Sequence, residues 1–198
     1  GLTLQNVLRV RGILMNGEIV EFGSLAPDSP GLDLLAIVMG SEGMLAVVTE
    51  VTVKLVAKPK LARVIMASFD DIEKGGNAVA AIIAAGIIPA GLEMMDQATT
   101  RAVEEFVNAG YDLEAAAILL CESDGTPEEV AEEIERMTKV LERSGASGIR
   151  ISRDETERLK FWSGRKNAFP AAGRIAADYY CMDGTIPRIH ISTLLKRI

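Results

Sequence analysis

Ala115-Ala116-Ala117-Ile118-Leu119-Leu120-Cys121-Glu122-Ser123-Asp124-Gly125-Thr126-Pro127-Glu128-Glu129 runs from an apolar stretch, through a short polar turn, into a helix start. Residues 115–122 read as a strand, and Cys121, at the end of the apolar run, as a small core residue. Thr126 can cap the next helix, Pro127 takes the first helical position, where no N–H is needed, and Glu129 closes a capping box. This helix is predicted to reach about Ser144. A strand over 148–152 follows, and Asp154 starts another helix through Asn167.

The same alternation extends upstream to residue 61. A strand over 62–69 leads to Asp70-Asp71, a cap for a helix over 72–85 that Gly86 stops. Gly75-Gly76 inside that helix cost about 1 kcal/mol each relative to alanine and weaken the prediction. A strand over 90–95 precedes a helix over 97–109, stopped by Gly110. Strands alternating with helices suggest an α+β sandwich with helices on one face of a small sheet. The pattern leaves open whether that sheet is antiparallel.

Before residue 61 the pattern changes. Residues 4–15 and 18–22 are strand-like and flank Asn16-Gly17, which suits a type I′ hairpin turn with both central residues at positive φ. A loop over 23–31 carries Pro27 and Pro30. Asp33 can cap a short apolar helix ending near Gly40, and Gly40-Ser41-Glu42-Gly43 leads into a β-branched run over 46–56 with a period of two. Lys58-Pro59-Lys60 reads as a linker, dividing the chain into domains over 1–57 and 61–198.

The 198 residues are 48% hydrophobic, which supports a packed core. The formal charge of −7, from 28 acidic and 21 basic residues, is spread without a basic block and disfavours nucleic acid through phosphate repulsion. Cys121, Cys181 and the single histidine, His190, provide no disulfide framework and no metal-ligand spacing, which fits a reducing, cytoplasmic compartment. No apolar run reaches the ~18 residues of a membrane span. The start at Gly1-Leu2-Thr3 and the end at Leu195-Lys196-Arg197-Ile198, inside a helical pattern, read as those of an internal fragment.

Two stretches carry possible chemistry. In Gly40-Ser41-Glu42-Gly43 the glycines allow a tight turn and close approach of backbone amides to a ligand. An ordinary helix-to-strand connection explains the same spacing. In Trp162-Ser163-Gly164-Arg165-Lys166-Asn167-Ala168-Phe169-Pro170, Arg165 lies between two aromatic residues that could shield it. A guanidinium there could hold a carboxylate through two parallel hydrogen bonds. The alternative is a solvated helix charge. Tyr179, Tyr180 and Asp183 could line the same pocket or pin the chain as it enters a next strand. Glu93 and Asp96 read as structural rather than as an acid/base pair.

Gly40-Ser41-Glu42-Gly43-Met44-Leu45-Ala46-Val47-Val48-Thr49-Glu50 resembles the stretch that closes the FAD-binding domain of the vanillyl-alcohol-oxidase-like (PCMH-type) flavoproteins. Residues 165–174, Asp178-Tyr179-Tyr180-Cys181-Met182-Asp183-Gly184-Thr185 and Gly91-Leu92-Glu93-Met94-Met95-Asp96 are similar to the FAD-linked oxidases of that family that act on small 2-hydroxy acids. The resemblance implies an α+β architecture: the end of a PCMH-type FAD-binding domain (1–57) followed by a ferredoxin-like cap (61–198), both incomplete. It implies FAD as cofactor, with Glu42, Gly43, Met44, Leu45, Ala46, Val47 and Val48 along it, and oxidation of glycolate or a similar D-2-hydroxy acid to the 2-oxo acid. Arg165 would hold the substrate carboxylate. Where relatives carry a second cation, a lysine, this chain has Cys181, and where they carry glycine it has Ala46, whose methyl falls where the backbone approaches the cofactor.

The resemblance also implies partner subunits of a glycolate-oxidising assembly that take the electrons onward, and a cytoplasmic location, or a peripheral one at the inner membrane through those subunits. The histidines that supply the base and any metal site lie beyond the point matching Ile198, and the pyrophosphate-binding segments before Gly1. No catalytic or metal-ligating residue is therefore expected within the chain, and His190 is read as structural. The 198 residues alone are expected to be inactive and to hold FAD weakly or not at all. The rival expectation is a non-catalytic ligand-binding or subunit-assembly module of the same α+β fold, with Met94-Met95 facing a partner.

Overall fold

A computed structural model describes residues 3–26 and 31–197. Pro27 and Pro30 of the predicted loop, and the terminal residues Gly1, Leu2 and Ile198, lie outside the described residues. The chain divides into two compact units, Gly1–Lys58 and Pro59–Ile198.

In the first unit β1 (Val7–Ile13) is the central strand of an antiparallel sheet ordered β2-β1-β3. The predicted strand over 4–15 is shorter than expected, since Thr3–Asn6 form a 3-10 turn. β2 (Ile19–Gly23) returns beside β1 as the expected hairpin, but its turn is not type I′. The Gly17 amide donates to the Leu14 carbonyl at 2.9 Å and only Gly17 is left-handed, with φ +83°, while Asn16 is not. That geometry is a type I turn followed by a left-handed glycine, the usual three-residue hairpin. α1 (Leu34–Val38) is capped by Asp33, which accepts the Ala36 amide at 3.0 Å. β3 (Val47–Val53) pairs with the other edge of β1. Val7, Val10, Leu35 and Val38 form a small core. The apolar residues Val47, Val48, Val51 and Val53 of β3 remain exposed.

The second unit runs β4 (Leu61–Phe69), α2 (Ile72–Ala84), β5 (Gly91–Asp96), α3 (Gln97–Val107), β6 (Ala117–Gly125), α4 (Pro127–Arg143), β7 (Gly148–Ile151) and α5 (Glu155–Lys166). The sheet order is β5-β6-β4-β7 and every neighbouring pair is antiparallel. β4 and β5 are thus parallel with β6 between them, as are β6 and β7 with β4 between them. These two interleaved strand-helix-strand crossovers make the unit ferredoxin-like.

Helices cover both faces of this sheet, not one. On the first face Ile65, Phe69, Leu119 and Cys121 meet Ile82 of α2 and Val130, Met137 and Leu141 of α4. On the second face Val64, Met66, Ile118 and Leu120 meet Val103 of α3, Phe161 of α5 and Ala171. Ala171 belongs to α6 (Ala168–Ile175), which follows α5 almost without a break. After an irregular stretch over 176–187 and a 3-10 turn at Arg188–His190, α7 (Ile191–Leu195) packs on α2.

The glycine pair that weakens α2 has a packing reason. A Cβ at Gly75 would stand 3.2 Å from both the Ala117 Cβ and the Met94 sulfur, and one at Gly76 would stand 3.1 Å from the Ser192 backbone. The bare helix face lets α2 approach the sheet and α7 closely, which offsets the propensity cost. Among the described residues no helix is long and apolar enough to cross a membrane.

Candidate functional site

α5 packs on β4 and α3, and side chains on one of its faces reach β6 and the edge strand β5. Three of its residues, Arg158, Trp162 and Arg165, are four and three positions apart and so share one helix face. Arg158 donates from Nη1 to the Glu122 carboxylate at 2.6 Å, and from Nε and Nη2 to Glu155 at 2.7 and 2.8 Å. The Trp162 indole N–H donates to the same Glu122 oxygen. Arg158 and Glu122 are only 17% and 16% exposed. The hydrogen bond to Glu155 first, and then that to Glu122, raise the Arg158 pKa, so the guanidinium stays charged. Opposite Glu122 on β5 is Gly91, where a Cβ would stand 3.0 Å from the Trp162 ring. One turn further, Arg165 Nε donates to Glu93 Oε2 at 2.9 Å, two residues along β5 from Gly91.

Tyr111 anchors the same helix from behind. Its hydroxyl donates to the Phe161 carbonyl and accepts the Gly164 amide at 3.1 Å. Burial pushes this hydroxyl up to about 12, so it remains a donor across the ordinary pH range.

Arg165 is therefore held at the rim of the sheet rather than enclosed. Its side chain is 41% exposed, Trp162 is turned away onto Glu122 and Gly91, and Phe169 is itself 53% exposed. The expected shielding by the two aromatics is thus partial. Apart from the Nε bond to Glu93, Arg165 makes no hydrogen bond among the described residues, which leaves its two terminal nitrogens available. It borders two clefts, with Thr99 and Ala168 also on both. One, of about 440 Å3, is lined by Glu93, Met94, Asp96 and Leu195. The other, of about 600 Å3, is lined by Ala98, Ala102, Phe169, Met182 and Asp183. Both volumes are in the range that holds small ligands.

The two acids expected to be structural have different partners. Asp96 caps α3, accepting the Thr99 amide at 2.8 Å. Glu93 forms the ion pair with Arg165 across 72 residues of sequence, and sequence reading alone did not connect the two. The α5 spacing of Arg158, Trp162 and Arg165 was the available signal for a shared face; their partners on β5 and β6 were not visible. Tyr179 stacks on Phe169 with ring centroids 6.2 Å apart, Tyr180 is 87% exposed, and no strand follows them among the described residues. The His190 side chain is exposed and makes no hydrogen bond among the described residues. No group of three or more His, Cys, Asp or Glu among the described residues could hold a metal ion. A further apolar groove of about 630 Å3, between α4, β4 and β7, brings together none of these groups.

In the first unit, residues 40–45 form a left-handed turn. Gly40, Glu42 and Gly43 have φ of +81°, +51° and +82°, and the Met44 amide closes the turn on the Ser41 carbonyl at 2.9 Å. A Cβ on Gly40 or Gly43 would meet nothing within 4 Å, and Met44, Leu45, Val47 and Val48 are exposed. Ala46 is the exception. It is buried, and its methyl faces the backbone of Gly12, where a Cβ would lie 3.2 Å from it. The methyl that departs from the glycine pattern thus points into the unit, away from the open face. An exposed apolar edge with accessible backbone fits a flat, partly apolar cofactor such as a flavin.

A model of the family described as FAD linked oxidases, C-terminal domain, matches residues 58–198. The chain is 57% identical over 198 residues to the glycolate oxidase subunit GlcD of Escherichia coli strain K12, covering all of this chain and 40% of that protein. It is 35% identical over 199 residues to GlcD of Bacillus subtilis strain 168, covering all of this chain and 42% of that one. Among solved structures it is similar in fold to an alkyldihydroxyacetonephosphate synthase, with a TM-score of 0.70 at 18% identity over 98% of this chain and 40% of that one. The chain thus spans about 40% of the length of the curated relatives it matches.

Proposed function

The chain belongs to the FAD linked oxidases, and from that membership we propose that the whole protein oxidises glycolate, or a similar D-2-hydroxy acid, to the 2-oxo acid. Residues 1–57 are the end of its FAD-binding domain and residues 61–198 most of its substrate cap. When bound, FAD supplies the hydride acceptor. Residues 42–48 would hold it, through backbone and the exposed side chains of Met44, Leu45, Val47 and Val48. Arg165 receives the substrate carboxylate on its terminal nitrogens, which are planar and matched to two carboxylate oxygens. Asp183 and Thr99 are polar groups of the adjoining clefts and are open to a bound hydroxy acid. No residue of this chain is assigned as the base that takes the hydroxyl proton. Electrons pass to partner subunits, and the protein works in the cytoplasm or at the inner face of a membrane through them. No observation favours the non-catalytic module.

The observation that carries this reading is the cleft-lining guanidinium with an uncommitted terminal edge, in a family whose members named above are glycolate oxidase subunits. In the full-length protein, Arg165→Ala removes a charge-assisted contact of about 1.5–3 kcal/mol and should raise KM for glycolate roughly tenfold to a hundredfold. Steady-state kinetics in which both KM and kcat stay at the parental values would remove the clamp from the proposal.

A further inference from the structure

We propose that Glu93 is a positioning residue for substrate recognition: it fixes the Arg165 guanidinium so that the terminal Nη edge, and not the Nε side, is offered to the incoming carboxylate. The inference rests on the reading of Arg165 as the carboxylate clamp and adds to it the group that aims it. Its basis is geometric. A guanidinium presents a carboxylate with two edges, one formed by Nε and one Nη, the other by both Nη nitrogens. Glu93 Oε2 occupies Nε at 2.9 Å, so one edge is taken. The remaining edge makes no hydrogen bond among the described residues, and Arg165 borders a cleft on either side.

Both partners sit on fixed elements. Glu93 is on β5, paired with Leu120 of β6, and Arg165 is in the last turn of α5, whose preceding turn is tied down by Trp162 and Arg158 on Glu122. The pair itself is 41% and 43% exposed, so it adds little to the stability of the fold. Its effect is to remove freedom from a long side chain that must meet a small substrate in one orientation, a cost otherwise met at binding.

The experiment compares Glu93→Ala, Glu93→Gln, Arg165→Ala and the Glu93→Ala/Arg165→Ala double variant in the full-length protein. KM and kcat for glycolate are measured together with the dissociation constant of oxalate, a non-reactive dicarboxylate, by calorimetry. Glu93→Ala should raise KM and the oxalate constant about tenfold with kcat changed less than about twofold. Glu93→Gln, whose amide oxygen still accepts from Nε, should recover most of that loss. In the Arg165→Ala background, Glu93→Ala should add nothing, because its effect passes through the arginine.

A tighter KM in Glu93→Ala would mean that Glu93 competes with substrate for the guanidinium, and would overturn the positioning role. So would an undiminished effect of Glu93→Ala when Arg165 is already absent, or a Gln variant no better than Ala. If Arg165→Ala alone leaves both constants unchanged, the clamp fails first and the positioning role goes with it, a result the other variants do not mimic.

Discussion

Where α5 crosses the buried Tyr111 ring, the sequence places Gly164, and a Cβ built there would fall 2.4 Å from both the ring edge and the hydroxyl oxygen. The neighbours cannot move cheaply, since the hydroxyl is bound to the Phe161 carbonyl and the Gly164 amide. Gly164→Ala is therefore expected to destabilise the protein by about 1–3 kcal/mol through overpacking, although alanine is the better helix former. Chemical denaturation would measure this, and an unchanged or higher midpoint would show that α5 slides freely on Tyr111. Because Arg165 is the next residue, the same substitution should also weaken glycolate binding. The neighbouring sequence gave reason to single out Arg165, but not this constraint: Tyr111 lies 53 residues away and its contact with Gly164 exists only after folding.

At the level of elements, the features readable from the sequence were those made by near neighbours. The capping box of α4 is one: Thr126 accepts the Glu129 amide and the Glu129 carboxylate accepts the Thr126 amide at 2.8 Å. That backbone hydrogen bond holds the Glu129 carboxyl below the ordinary glutamate value of 4.5. The folded pKa is depressed, so the stabilisation is fully present above 4.5 and is lost as pH falls through the lower folded value. Glu157, which accepts the Arg153 amide at 2.9 Å, behaves in the same sense. In Glu129→Gln the amide oxygen still accepts but no longer titrates. Its melting temperature should fall less than that of the parent between about pH 5 and pH 3. Parallel melting curves would show that Glu129 contributes nothing to acid sensitivity. Elements that depend on local exceptions were harder to read. α6 lies just beyond Asn167, where the predicted helix ends, and its Pro170 sits in the first turn, where the missing N–H costs no hydrogen bond. The hairpin was legible from Asn16-Gly17 and its turn type was not, since Met15 and Asn16 take ordinary negative φ and leave the left-handed position to Gly17 alone.

For the molecule as a whole, the alternation of strands and helices gave the α+β class, while the layering depended on strand order. β5-β6-β4-β7 brings residues 91, 93 and 122 to one edge under α5, a juxtaposition that no local pattern encodes. The same order opens the second sheet face to α3, α5 and α6, which line the larger of the two clefts beside Arg165. The exposed valines of β3 and the open turn at 40–45 form a second surface, the one proposed to meet the flavin. The measurement to make is anaerobic titration of the purified full-length protein with glycolate while the visible flavin absorbance is followed. A flavin band that bleaches on addition of glycolate, and that in Arg165→Ala bleaches only at much higher glycolate, is the expected result. A protein that purifies without flavin, or a band that glycolate leaves unchanged, would contradict the proposal that the whole protein is a 2-hydroxy-acid oxidase.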